Sequence, residues 1–303
     1  MTASMCRSFL FAPGDSERKM AKAFASGADA VILDLEDAVE ASAKPRARDM
    51  VREFLAEPRV AGGPERWARV NPFDGEDMAS DLEAVIGAGL DGIMLPKAEG
   101  TEQVEALSAM IAKLERARGD IEGRTKLFLV AGESPRGVLR CVDYPKGMAR
   151  LCAMSWGPWD LATALGASGN RHPDGTLKPP YELARSLCLI GAVAAGVAPI
   201  ETAPMEFRDI PVVRNFARAA AADGFTGLIA IHPDQIAAIH EALAPSAEEI
   251  EHARKICALF ASGDQVGTIG LDGQMLDRPH LVQAERILFR AGLSEQVVSI
   301  AEQ

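Results

Sequence analysis

The sequence predicts a (β/α)8 barrel with a C-terminal helical extension, on three observations. Eight short apolar runs recur along the chain. Each is almost continuously apolar rather than alternating, as strands covered on both faces are. The segments between them carry helix start and stop residues at lengths that suit βα crossovers.

The runs occupy residues 8–12, 30–35, 67–70, 92–95, 126–131, 151–156, 197–200 and 227–231. The first helix, 15–25, opens on Asp15, carries Glu17 before Lys19 and Lys22, and stops at Ser26-Gly27, an order that suits the helix dipole. A second set of signals bounds 78–88 between Asp74-Gly75 and Gly89, and another bounds 101–118 between Thr101 and Gly119. Residues 211–223 run from Pro211 to a stop at Gly224, just before the eighth run. These assignments make residues 1–232 the barrel. Residues 233–303 are too many for one closing helix and read as helices over 233–243, 247–262 and 278–291, with a turn-rich piece over 266–275.

Composition narrows the function. The 303 residues include 43 acidic and 32 basic side chains, a net charge of −11, so a nucleic-acid partner is disfavoured; Lys44-Pro-Arg-Ala-Arg48 is the longest basic patch. The longest uncharged stretch, 186–200, has fifteen residues, two Gly and one Pro, where a membrane span needs about twenty apolar residues. No apolar leader opens the chain, and the five cysteines are scattered without a C-x-x-C pair. The expectation is a cytoplasmic protein with no disulfide framework, no thiolate zinc site and no membrane partner.

In such barrels chemistry sits at the C-terminal ends of the strands, so the polar residues after each run are the candidates. They are Asp34, Glu36 and Asp37; Arg69 and Asn71; Lys97; Glu133; Asp160; Glu201; and His232. Glu133 and Asp160 lie on adjacent strands and could offer Mg2+ the one or two carboxylates it takes from protein. Arg69 could grip a carboxylate or a developing enolate oxygen. Fingerprints of nucleotide-binding and serine-hydrolase sites are missing from the sequence.

Several of these strand ends carry longer motifs: Arg7-Ser-Phe-Leu-Phe-Ala-Pro-Gly14, Leu33-Asp-Leu-Glu-Asp-Ala-Val39, Arg69-Val-Asn71, Gly89-Leu-Asp-Gly-Ile-Met-Leu-Pro-Lys97, Ile231-His-Pro233 and Asp272-Gly-Gln-Met-Leu-Asp-Arg-Pro-His280. Together, and in this order, they resemble the citrate lyase beta-subunit-like branch of the aldolase/citrate lyase family, over nearly the whole chain. The resemblance implies a Mg2+-dependent carbon–carbon lyase or synthase that is trimeric or hexameric. Such an enzyme cleaves or forms a malyl-CoA or citramalyl-CoA type thioester from a 2-oxo acid and acetyl-CoA.

By the same resemblance, Glu133 and Asp160 bind the metal and Arg69 binds substrate. Asp277 is the acid/base, reaching a neighbouring subunit's barrel, while Glu36 and Asp37 hold Arg69 and the metal's waters. Lys19, Lys22, Lys44 and Arg48 could meet the phosphates of CoA. Two departures are visible: Ala131-Gly-Glu-Ser134 stands where relatives carry Ile-Glu-Thr, and strand seven ends Ile200-Glu-Thr rather than Ile-Asp. Two other readings stay open, an aldolase on free 2-oxo acids without CoA and a citrate lyase beta-like subunit of a larger complex.

Overall fold

The computed structural model describes residues 6–87, 89–262, 268–271 and 274–293. It divides into two units, Met1–His240 and Glu241–Gln303. His240, the last residue of the first unit, is tied to the barrel by a 2.8 Å hydrogen bond between its Nε2 and Ser8 Oγ.

In the first unit eight parallel strands close into a barrel in chain order: β1 (Ser8–Pro13), β2 (Ala30–Asp34), β3 (Glu65–Arg69), β4 (Gly92–Leu95), β5 (Lys126–Gly132), β6 (Leu151–Trp156), β7 (Ala198–Glu201) and β8 (Gly227–Ala230). The intervening helices are α1 (Glu17–Phe24), α2 (Lys44–Ala56), α3 (Met78–Val85), α4 (Thr101–Ala117), α5 (Pro135–Arg140), α6 (Pro158–Ala164), α7 (Pro179–Ala195) and α8 (Ile210–Asp223). All eight apolar runs are strands, shifted at their ends by two residues at most. Ala88, expected within the third helix, lies outside the described residues.

Side-chain alternation along the strands decides what faces the barrel axis. Ala30 and Ile32 of β2, Trp67 of β3, Met94 of β4 and Phe128 and Val130 of β5 all join one buried interior cluster with Phe9, Ala153, Ile200 and Ile229. Phe9, Trp67 and Phe128 pack edge-on, with centroids 5.0 to 6.2 Å apart, and fill the barrel. By the same period of two, Asp34 follows Ala30 and Ile32, and Arg69 follows Trp67. The register pairs Asp34 with Arg69 at the C-terminal end of β2 and β3.

Glycine is required where β5 meets β6. The register slips between Val130 and Gly132, and a Cβ on Gly132 would lie 2.6 Å from Trp156 Cβ. The bulge allows Glu133 to follow directly at the strand end.

A short turn at Pro233–Gln235 leads into α9 (Ile236–Leu243), which spans the division between the units. The second unit holds α10 (Ala247–Ser262), β9 (Thr268–Leu271), β10 (Gln274–Asp277) and α11 (Arg278–Arg290). Here the expected turn-rich piece is corrected: its described residues pair as an antiparallel hairpin, Gln274 opposite Leu271 and Asp277 opposite Thr268. Ala253, Ile256, Leu276 and Ala284 form its small core. Asp272 and Gly273 of the last motif lie outside the described residues.

Candidate active site

The site begins with Asp34, which is buried and fully engaged. Its carboxylate accepts from Arg69 Nε at 2.7 Å and Arg69 Nη2 at 2.6 Å, and from the backbone N–H groups of Glu36 and Ala38. Arg69 Nη1 lies 2.8 Å from Glu36 Oε2, and its guanidinium stacks over Phe11 at 4.6 Å. Two of the five guanidinium N–H donors are committed to Asp34 by hydrogen bonds, and Nη1 is ion-paired with Glu36. Burial alone would lower the Arg69 pKa, but Asp34 and then Glu36 raise it, so the charge is permanent.

Lys97 joins the next group. Its Nζ lies 2.5 Å from Glu36 Oε1, 3.4 Å from Asp160 Oδ1 and 3.6 Å from Asp37 Oδ2. Its backbone N–H donates to Glu133 Oε2 at 2.6 Å. Asp160 stands in the first turn of α6, where a carboxylate is favoured by the helix dipole.

Glu133 is 6% exposed, and burial followed by the nearby Asp160 charge pushes its carboxyl up to about 8. Burial likewise raises Glu36 against the pull of Arg69 and Lys97. Five carboxyl groups (Asp34, Glu36, Asp37, Glu133, Asp160) thus face two cations, Arg69 and Lys97. This imbalance suits a further cation.

The donor set fits Mg2+. No cluster of three or more His, Cys, Asp or Glu side chains able to hold a metal occurs among the described residues. Mg2+ needs only one or two protein carboxylates and fills its octahedron with water and substrate oxygens.

The profile of one family, HpcH/HpaI aldolase/citrate lyase, matches residues 7–233. The chain belongs to the HpcH/HpaI aldolase/citrate lyase family. A second profile, a carbon–carbon bond lyase of the TIM-barrel fold, matches residues 207–294. The chain is 36% identical to a citrate lyase subunit beta-like protein of Mycobacterium tuberculosis, covering 94% of this chain and 95% of that one. It is 35% identical to citrate lyase subunit beta of Escherichia coli, with 95% and 94% covered, and 32% identical to a (3S)-malyl-CoA thioesterase of Cereibacter sphaeroides, with 94% of each covered. The crystal structure of CitE from M. tuberculosis in complex with magnesium, acetoacetate and coenzyme A superposes with a TM-score of 0.76 at 33% identity, covering 95% of this chain and 98% of that one.

Within this HpcH/HpaI aldolase/citrate lyase barrel, Arg69, Glu36, Asp37, Glu133 and Asp160 are brought together as a connected group. Lys97 and Asp34, polar strand ends that also fall within two of the motifs but carry no role in the sequence reading, complete it. Gly157 has no side chain to mark it in the sequence beyond its place between Trp156 and Pro158, and its importance lies in the space it leaves for Glu133.

Other candidates sit elsewhere. Glu201 follows Ile200, so it points to the outer face of the barrel, where it accepts from Trp156 Nε1 at 2.6 Å and Arg185 Nε at 2.5 Å. His232 caps the turn before α9, accepting from the Asp234 N–H. Asn71 is a structural tie, bonded to Asp81 and to the Leu35 carbonyl.

Two of the residues expected to meet phosphates already have partners within the chain. Lys44 bonds to Asn71 and pairs with Asp77, and Arg48 pairs with Asp81 and Asp77, so both knit α2 to α3 and the loop before it. Lys19 and Lys22 are exposed on α1. Asp277, in the second unit, is the N-cap of α11, and its Oδ1 lies 2.5 Å from His280 Nδ1.

Proposed function

We propose that the chain is a Mg2+-dependent carbon–carbon lyase or synthase acting on a 3-hydroxyacyl-CoA of the malyl-CoA or citramalyl-CoA type. The observation that carries this reading is the buried Glu133 carboxyl beside Asp160, at the strand ends where Arg69 is held rigid by Asp34 and Glu36. Relatives bound to magnesium with acetoacetate and coenzyme A, or with oxaloacetate, lend support. No helix among the described residues is long and apolar enough to cross a membrane. A cytoplasmic location and assembly as a homotrimer or hexamer belong to the same proposal.

Glu133 and Asp160 would hold Mg2+. The ion would supply Lewis acidity toward the carboxylate and hydroxyl or carbonyl oxygens of the 2-oxo acid portion. Arg69 directs its remaining N–H donors at substrate oxygen and stabilises the charge that gathers there. Glu36 fixes the Arg69 plane, and with Asp37 accepts from ordered waters in the site.

In cleavage the hydroxyl proton passes to solvent water and its oxygen becomes a carbonyl. The carbon–carbon pair passes to the departing acetyl carbon as an enolate, which takes a proton from the Asp277 carboxylic acid supplied by a neighbouring subunit. In synthesis Asp277 removes that methyl proton instead. Lys19 and Lys22, exposed on α1, are the freest of the candidate partners of the CoA phosphates; Lys44 and Arg48 would have to share their acidic partners.

The test is turnover with glyoxylate or pyruvate, each with and without acetyl-CoA and with and without Mg2+. Condensation that needs both acetyl-CoA and Mg2+ is expected. Condensation of free acids without CoA would replace this reading with the CoA-independent aldolase. Turnover only when acyl-carrier and transferase subunits are added would replace it with a citrate lyase beta-like subunit.

A further inference from the structure

Lys97 is one of only two non-glycine residues with positive φ among the described residues, at 51°. A backbone of this kind is uncommon and costs free energy, so the surrounding contacts must maintain it. At Lys97 those contacts are specific. The turn aims the backbone N–H at Glu133, and the same residue's ammonium reaches Glu36, Asp160 and Asp37. One residue therefore touches both expected metal ligands, one through its main chain and one through its charge.

We propose that the Lys97 ammonium is the built-in counter-cation of this acidic site, which it must partly surrender to a divalent cation, so that Lys97 sets metal affinity. The inference rests on the reading of Glu133 and Asp160 as ligands of such a cation. With the ammonium 3.4 Å from Asp160, a doubly charged ion on the same carboxylate meets like-charge repulsion at short range in a partly buried site, where screening is weak. Lys97 thereby lowers the affinity while keeping the metal-free site from carrying an unbalanced cluster of acids.

Removing the charge leaves most of the ligand geometry in place. Glu133 keeps its bond to the position-97 backbone N–H, and Glu36 keeps Arg69. Glu36, Asp160 and Asp37 lose their lysine partner, and of these Glu36 alone retains a cation, Arg69. Electrostatic relief should therefore outweigh loss of order.

The experiment is calorimetric titration of Mg2+ into the full chain and its Lys97→Met, Lys97→Gln and Lys97→Arg variants, with Glu133→Gln as a non-binding control. Lys97→Met, or Lys97→Gln should the methionine variant fail to fold, is expected to bind Mg2+ about tenfold more tightly or better. Lys97→Arg, which keeps the charge, should stay within about threefold of the parent. The neutral variants should also melt lower without metal and gain more on adding it. Parent-like or weaker affinity in the neutral variants overturns the role of Lys97 alone. Absence of Mg2+ binding by the parent overturns both this inference and the metal reading beneath it.

Discussion

Gly157 lies against Glu133 so closely that a Cβ on Gly157 would fall 2.5 Å from Glu133 Cγ and 2.7 Å from its Oε1. The φ at Gly157 is −127°, a conformation open to any residue, so the position needs glycine for space and not for backbone freedom. Gly157→Ala should push the Glu133 carboxylate off the Lys97 N–H. Mg2+ affinity is expected to fall about tenfold or more, with a stability cost in the range of about 1–3 kcal/mol for overpacking. Titration with Mg2+ alongside thermal melts checks both; unchanged affinity would refute the steric argument.

Glu133→Gln and Asp160→Asn should abolish Mg2+-dependent turnover with the fold intact. The amide of Glu133→Gln can still accept from the Lys97 N–H and carries no charge to desolvate. Its metal-free melting temperature should therefore equal or exceed the parent's. Circular dichroism melts with activity assays decide this, and full activity in either variant would remove the metal assignment.

Asp277→Ala should eliminate carbon–carbon chemistry while substrate binding is largely kept, because Asp277 is given the proton transfer and no binding role. The readout is kcat against substrate Kd. Near-normal turnover would count against the acid/base assignment.

Far from these groups, Glu115 of α4 is buried and paired with Arg150 at 2.6 Å, and accepts from the Gly123 and Thr125 N–H groups. Burial would raise its carboxyl, but Arg150 and those donors prevail and hold it at about 2, below the ordinary 4.5. A depressed folded value means the stabilisation is complete above pH 4.5 and disappears as pH falls toward 2. The parent should lose stability across that window more steeply than Glu115→Gln, as followed by denaturant melts at stepped pH. At neutral pH Glu115→Ala should cost about 3–5 kcal/mol by stranding the Arg150 charge.

Much of this architecture is legible in the residues. The eight strands stand out because helices cover one face and the packed interior the other, which makes each an apolar run. The run placed at 197–200 begins one residue early because Val197 still belongs to the end of α7, where its N–H bonds to Ala192 after the left-handed Gly196. Polar strand ends marked Arg69, Glu133 and Asp160, but polarity alone does not reveal inward or outward direction, and Glu201 failed for that reason. The β9–β10 hairpin escaped because its strands are only four residues long, with exposed positions and Gly270 in β9. Lys44 and Arg48 read as free basic groups because their acidic partners lie about thirty residues away along the chain.

The interlocked rings of Phe9, Trp67 and Phe128 carry a consequence for traffic. They stopper the barrel interior, so a molecule that reacts above Arg69 cannot thread through from the far side. On the proposed function, reactants and products would therefore both pass by way of the rim at the C-terminal strand ends.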